Sequence, residues 1–135
     1  MKNHPYLRAY MAGVLLPSWF LLMVLAAFLL AHFTGQGLEG LGSAIIFPMA
    51  IVPNLWGLWN VLYTRLDLRG RVSIGAFGAV LPLILVPAGV ALASVLDFRS
   101  YNMNLAAVLL PVVMAIYYLA WKYAVAFFNR IVNLG

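Results

Sequence analysis

The chain contains no cysteine and few charges, and acidic residues are the scarcest of all: Asp and Glu together number 3 in 135 residues. Without cysteine there is no disulfide framework and no thiolate metal site. Only 8% of the residues are charged against 66% hydrophobic. A soluble domain is about half apolar and about a quarter charged. Too little polar surface is therefore available to cover a water-soluble globule of this size. Intrinsic disorder requires the opposite composition and is excluded as well. What this leaves is an integral membrane protein.

The spacing of the 11 charges supports that class. None occurs in 9–38, 40–64, 72–96 or 100–121, runs of 30, 25, 25 and 22 residues. About 20 apolar residues carry a helix across the hydrocarbon core. Each run holds one crossing, and a segment in lipid must satisfy its own backbone, so each crossing is expected to be an α-helix. The expected spans are 8–33, 43–65, 72–96 and 103–129, giving one four-helix domain over 1–135. Leu21–Leu30 and Ala79–Val86 are apolar at every position, which contradicts the alternation of a barrel strand. The run from Ala9 to Ala31 exceeds the apolar core of a signal peptide and has no Ala-x-Ala site, so it reads as a retained helix. The short links imply an up-down bundle of antiparallel neighbours.

Lys2, Arg8, Arg65, Arg69, Arg71, Lys122 and Arg130 fall on one expected side, and Arg99 alone on the other, with Glu39 and Asp97. Basic residues in short loops stay cytoplasmic. Both termini are therefore expected in the cytoplasm, in a multi-pass protein of a bacterial inner membrane. Tyr6, Tyr10, Trp59, Tyr63 and Tyr123 sit near the same face, with Trp56 and Trp121 slightly deeper, as interfacial aromatics do. Arg65, Arg69 and Arg71 are expected to meet anionic headgroups, not nucleic acid.

A shift of 65 residues aligns the halves without a gap and gives 11 identities, among them Gly13 on Gly78, Pro17 on Pro82, Trp56 on Trp121 and Arg65 on Arg130. Composition alone gives roughly five or six. Coincidence within a restricted alphabet is the competing reading. A true repeat would consist of two tandem helical hairpins related by a pseudo-two-fold along the membrane normal.

Proline occurs in every expected helix: Pro17, Pro48, Pro53, Pro82, Pro87 and Pro111. Membrane helices tolerate proline because neighbours repair the lost hydrogen bond, although local unwinding at a site has the same signature. Ala9-x-x-x-Gly13, Gly75-x-x-x-Ala79 and Gly89-x-x-x-Ala93 are small-residue spacings suited to close helix approach.

Asn54 lies eleven residues before Arg65, about 16 Å into the membrane at the helical rise. An amide at that depth needs a partner. Ser18, Trp19, Tyr117 and Tyr118 reach similar depth. These five form the candidate midplane pocket, the plain alternative being one interhelical hydrogen bond. His4 and His32 lie on opposite sides and cannot share a haem. No P-loop, Gly-x-Ser-x-Gly or His-Glu-x-x-His occurs. No cofactor, metal site or catalytic group is expected. The expected role is an accessory or scaffold helix bundle acting through helix–helix and lipid contacts, within a homo-oligomer or a larger membrane complex. The alternative is a small transporter or channel for an uncharged or apolar substrate. An enzyme acting on lipid is disfavoured because Glu39, Asp67 and Asp97 are too scattered to pair.

Overall fold

The computed structural model describes residues 4–37, 48–95 and 103–134. The structured part is helical throughout, with no strand among the described residues. Four long helices are α1 (Pro5–Phe33), α2 (Pro48–Arg65), α3 (Ile74–Val95) and α4 (Met103–Ala120). A π-helical turn, Trp121–Val125, continues α4 into the short α5 (Ala126–Ile131). Glu39, Asp97, Arg99 and Tyr101, and with them both connections on the side opposite the expected cytoplasmic face, fall outside the described residues.

Three helical segments are long and apolar enough to cross a membrane: Pro5–Phe33, Ile74–Leu92 and Asn104–Ile131. The expected fourth crossing, 43–65, is a helix from Pro48 but does not meet that standard over its described residues. The reason lies in its side chains. Asn54 and Asn60 interrupt the apolar run, Arg65 ends it, and residues 43–47 are not described.

Proline does not break the helices. Pro17, Pro53, Pro82, Pro87 and Pro111 all lie inside helical segments. Pro5 occupies the first turn of α1, where its missing N–H is no loss. Helix α1 ends in a Schellman motif. The Gln36 N–H donates to the Ala31 carbonyl (3.0 Å) and the Gly35 N–H to the His32 carbonyl (3.3 Å). Gly35 takes φ +70°, a left-handed conformation that glycine adopts without a Cβ penalty.

The chain divides into two compact units: 1–66 with 128–135, and 67–127. In the first, α1 packs against α2. The helices run antiparallel, since Ala9 meets Asn60 and Gly13 meets Trp56 and Gly57. A Cβ on Gly13 would lie 2.6 Å from the Trp56 carbonyl oxygen and 2.9 Å from the Gly57 Cα. The two backbones thus touch at Gly13, with Ala9 and Ala12 fully buried beside it. Gly57 in turn accommodates the Tyr10 ring and Val14.

The second unit pairs α3 with α4 and the π turn. Gly75 lies under Tyr118 and Lys122, and Gly78 under the Trp121 ring. Trp121 is fully buried and meets Phe77 edge-on, with ring centroids 6.5 Å apart. Close approach on α3 thus runs through Gly75 and Gly78, three residues apart, and only the first belongs to the expected Gly75-x-x-x-Ala79 pair. One tryptophan of each hairpin is buried. Trp56 and Trp121 are 5% and 0% exposed; the Trp121 ring fills the space opposite Gly78, whereas Gly13 meets the Trp56 backbone carbonyl.

Candidate functional site

Polar side chains in an apolar helix are the groups able to recognise anything other than lipid, so their partners determine what a site could be. Among the described residues of the first unit, two amide side chains are buried. Asn60 is 0% exposed and Asn129 7%. Asn60 Nδ2 donates to Asn129 Oδ1 at 2.7 Å, and Asn129 Nδ2 returns a hydrogen bond to Asn60 Oδ1 at 3.0 Å. Asn60 Nδ2 also donates to the Ala9 carbonyl at 2.7 Å. Three segments, α1, α2 and α5, are joined through one amide pair.

The same segments meet again at the C-terminal end of α5. The Leu134 N–H donates to the Asn129 carbonyl (2.8 Å) and the Asn133 N–H to the Arg130 carbonyl (3.1 Å). Asn133 takes φ +58°, so this is a second Schellman ending, with Leu134 buried as its apolar anchor. The end leaves the Val132 carbonyl free to accept from Arg8 Nη1 at 3.0 Å. A guanidinium at a helix C-terminus also meets the negative end of the helix dipole.

The expected site residues fall in both units. Asn54 is exposed on α2, and its Oδ1 accepts a hydrogen bond from the Tyr10 hydroxyl. Tyr10 reaches it because Gly57 leaves room for the ring to lie across α2. Ser18 is half-buried on α1, and Trp19 beside it is 66% exposed and directed away from the hairpin interior. Tyr117 and Tyr118 are half-buried and belong to the second unit. Asn54 and Tyr10 are thus brought together, and Trp19 is turned outward.

Asn60 and Asn129 escaped the sequence reading because each lies close to a basic residue, Arg65 or Arg130, where an amide passes for an interfacial residue. A usable signal was present nonetheless. Asn60 shares a helix with Asn54, and small residues at Ala9, Ala12 and Gly13 mark the surface on which α2 is held close. His32 is exposed and stacks on Phe28, with centroids 6.4 Å apart. Among the described residues no three His, Asp or Glu side chains form a metal-binding group.

The chain matches no family model, no curated protein and no solved structure.

Proposed function

We propose that this protein is a four-crossing membrane helix bundle that works as an accessory or scaffold subunit through helix–helix and lipid contacts. The carrying observation is the use made of its interior polar groups: Asn60, Asn129 and the Ala9 carbonyl satisfy one another and staple three segments together. The outward surface is apolar. Met11, Leu15, Phe20, Leu22 and Leu30 on α1 are 48–67% exposed, as are Val108, Val112 and Ile116 on α4 at 55–73%. Such residues suit lipid tails or the helices of another subunit. In this reading α2 also crosses, its amides shielded by neighbouring helices, and both termini are cytoplasmic. Arg65, Arg69 and Arg71 face anionic headgroups.

A tandem hairpin origin accompanies this reading. The pairs 10/57 and 13/56 meet in the first hairpin, and their counterparts 65 residues on, 75/122 and 78/121, meet in the second. Equal contact register in both hairpins supports the repeat independently of the identities. The residues at those positions differ in kind: Tyr10 lies on Gly57, whereas Gly75 lies under Lys122.

The test is the mass of the particle extracted in a mild neutral detergent, measured by light scattering, with cross-linking in the membrane before extraction. Self-association, or one identified partner at fixed stoichiometry, supports a scaffold or accessory subunit. A monomer that retains a small molecule would instead favour the transporter reading. That second reading draws on α2, the least lipid-like of the four helices, with Asn54 at its exposed face.

A further inference from the structure

We propose that the open end of the α3–α4 hairpin, where the turn before α3 meets the π turn after α4, binds one anionic lipid, whose phosphate is taken by Lys122 with Arg69 and Arg71; this rests on the membrane-spanning reading above. Lys122 is exposed on the π turn. Its Nζ lies 5.6 Å from the centroid of the Tyr118 ring and 5.4 Å from that of Tyr123. The π turn has a local consequence here. Its wider winding buries Trp121 and Val125 while leaving Lys122 and Tyr123 outside. Departures of this kind are frequent at functional positions.

Cation–π contact holds an ammonium in place through the ring faces and leaves its N–H donors unused. Among the described residues Lys122 makes no hydrogen bond or ion pair, and neither Arg69 nor Arg71 makes one through its side chain. These cations share one end of one hairpin. A Cβ on Gly75 would lie 3.1 Å from the Lys122 Cβ, so Lys122 is level with the first turn of α3. Arg71 and Arg69 precede Gly75 by four and six residues in the exposed turn. Asp67 is the one carboxylate described in this unit and is exposed, without an ion pair among the described residues.

Three unneutralised cations at the hydrocarbon boundary call for an anion with several acceptor oxygens, which a phosphate supplies. Lipid phosphate and free phosphate share that chemistry. The surroundings favour lipid. Tyr123 and Leu119 are 61% and 52% exposed beside the cluster, an apolar wall suited to the glycerol and acyl portions and of no use to a free ion.

The test uses the full chain in neutral detergent, titrated separately with phosphatidylglycerol, phosphatidylcholine and inorganic phosphate, with binding read by native mass spectrometry. One phosphatidylglycerol per chain is expected. Lys122→Gln and Arg71→Gln should each weaken it about five-fold, the effect of one basic residue near an anionic surface. Lys122→Arg should retain it. Arg71 sits in an exposed turn, so its variant carries the test if Lys122→Gln does not fold. Phosphatidylglycerol binding that Lys122→Gln and Arg71→Gln both leave unchanged would overturn the site in favour of bulk charge. Inorganic phosphate binding as tightly as phosphatidylglycerol would overturn a lipid source. Alkaline carbonate extraction separates the two layers of the argument. A chain that carbonate releases from membranes refutes the spanning reading and this site with it. A resistant chain without selective binding refutes the site alone.

Discussion

Replacing Asn129 with leucine conserves side-chain size while removing both halves of the reciprocal amide pair. Asn60 then keeps its bond to the Ala9 carbonyl, but its own Oδ1 loses the hydrogen bond from Asn129 Nδ2. A buried acceptor left without a partner costs about 1–3 kcal/mol in a water-referenced interior. Measured intramembrane hydrogen bonds are smaller, about 0.6 kcal/mol on average and about 1.7 at most, because the unfolded chain in lipid also finds partners. The pair involves two bonds and full burial, so the expected loss is about 1–2 kcal/mol, near the upper end of that scale. Asn60→Leu should cost at least as much, since it also removes the bond to Ala9. The double variant is the informative one. With both amides gone nothing is stranded, and it should be more stable than the sum of the single losses by about 1 kcal/mol, the coupling expected of directly bonded neighbours. Reversible unfolding in mixed micelles, followed by tryptophan fluorescence, supplies the four free energies. Additive losses would mean that the two amides do not interact, and the staple between α2 and α5 would have to be abandoned.

Gly13→Ala places a methyl against the Trp56 carbonyl and the Gly57 Cα, both backbone, so α1 and α2 must separate. A loss of about 1–3 kcal/mol is expected, as for other overpacked sites, and a stability within error of the parent would contradict the close backbone contact. Gly78→Ala forces the buried Trp121 ring to move, so the tryptophan emission spectrum should shift along with a similar loss. An unshifted spectrum would show that the ring is not confined there. Asn54→Leu removes an exposed amide bonded to Tyr10 and should cost no more than about 1 kcal/mol. Loss of a retained small molecule in that variant, with the fold intact, would support the midplane pocket.

The helices were largely legible because one signal, the absence of charge over 22–30 residues, survives any detail of packing. Helix α1 could be placed from Ala9 to Leu38 on that ground alone, and its actual end at Phe33 is set by Thr34–Gly35 chemistry. The same signal is weakest at α2. A charge-free run shows where a crossing is affordable, whereas Asn54, Asn60, Trp56 and Trp59 make the helix too polar to be read as lipid-facing. The direction of Asn54 was not legible. Rotation about the helix axis depends on which residue of the neighbouring helix is small, and Gly57 determined that Tyr10 would be the one to reach it. The Asn60–Asn129 pair spans 69 residues of sequence and follows only from three-dimensional packing. The π turn at Trp121–Val125 has no counterpart in hydropathy, because it changes the winding of the helix and not its composition.

Since the chain has no cysteine, single introduced thiols can report which side of the membrane each loop occupies. Gly37→Cys, Leu66→Cys and Ile131→Cys lie at exposed positions after α1, after α2 and at the end of α5. Labelling with a membrane-impermeant maleimide on intact cells tests whether α2 crosses, the least lipid-like step of the proposed topology. The account predicts labelling at Gly37→Cys alone, with Leu66→Cys and Ile131→Cys reacting only after the membrane is opened. Labelling of Gly37→Cys and Leu66→Cys from the same side would contradict it, because α2 would then not cross and the four-crossing bundle would not exist.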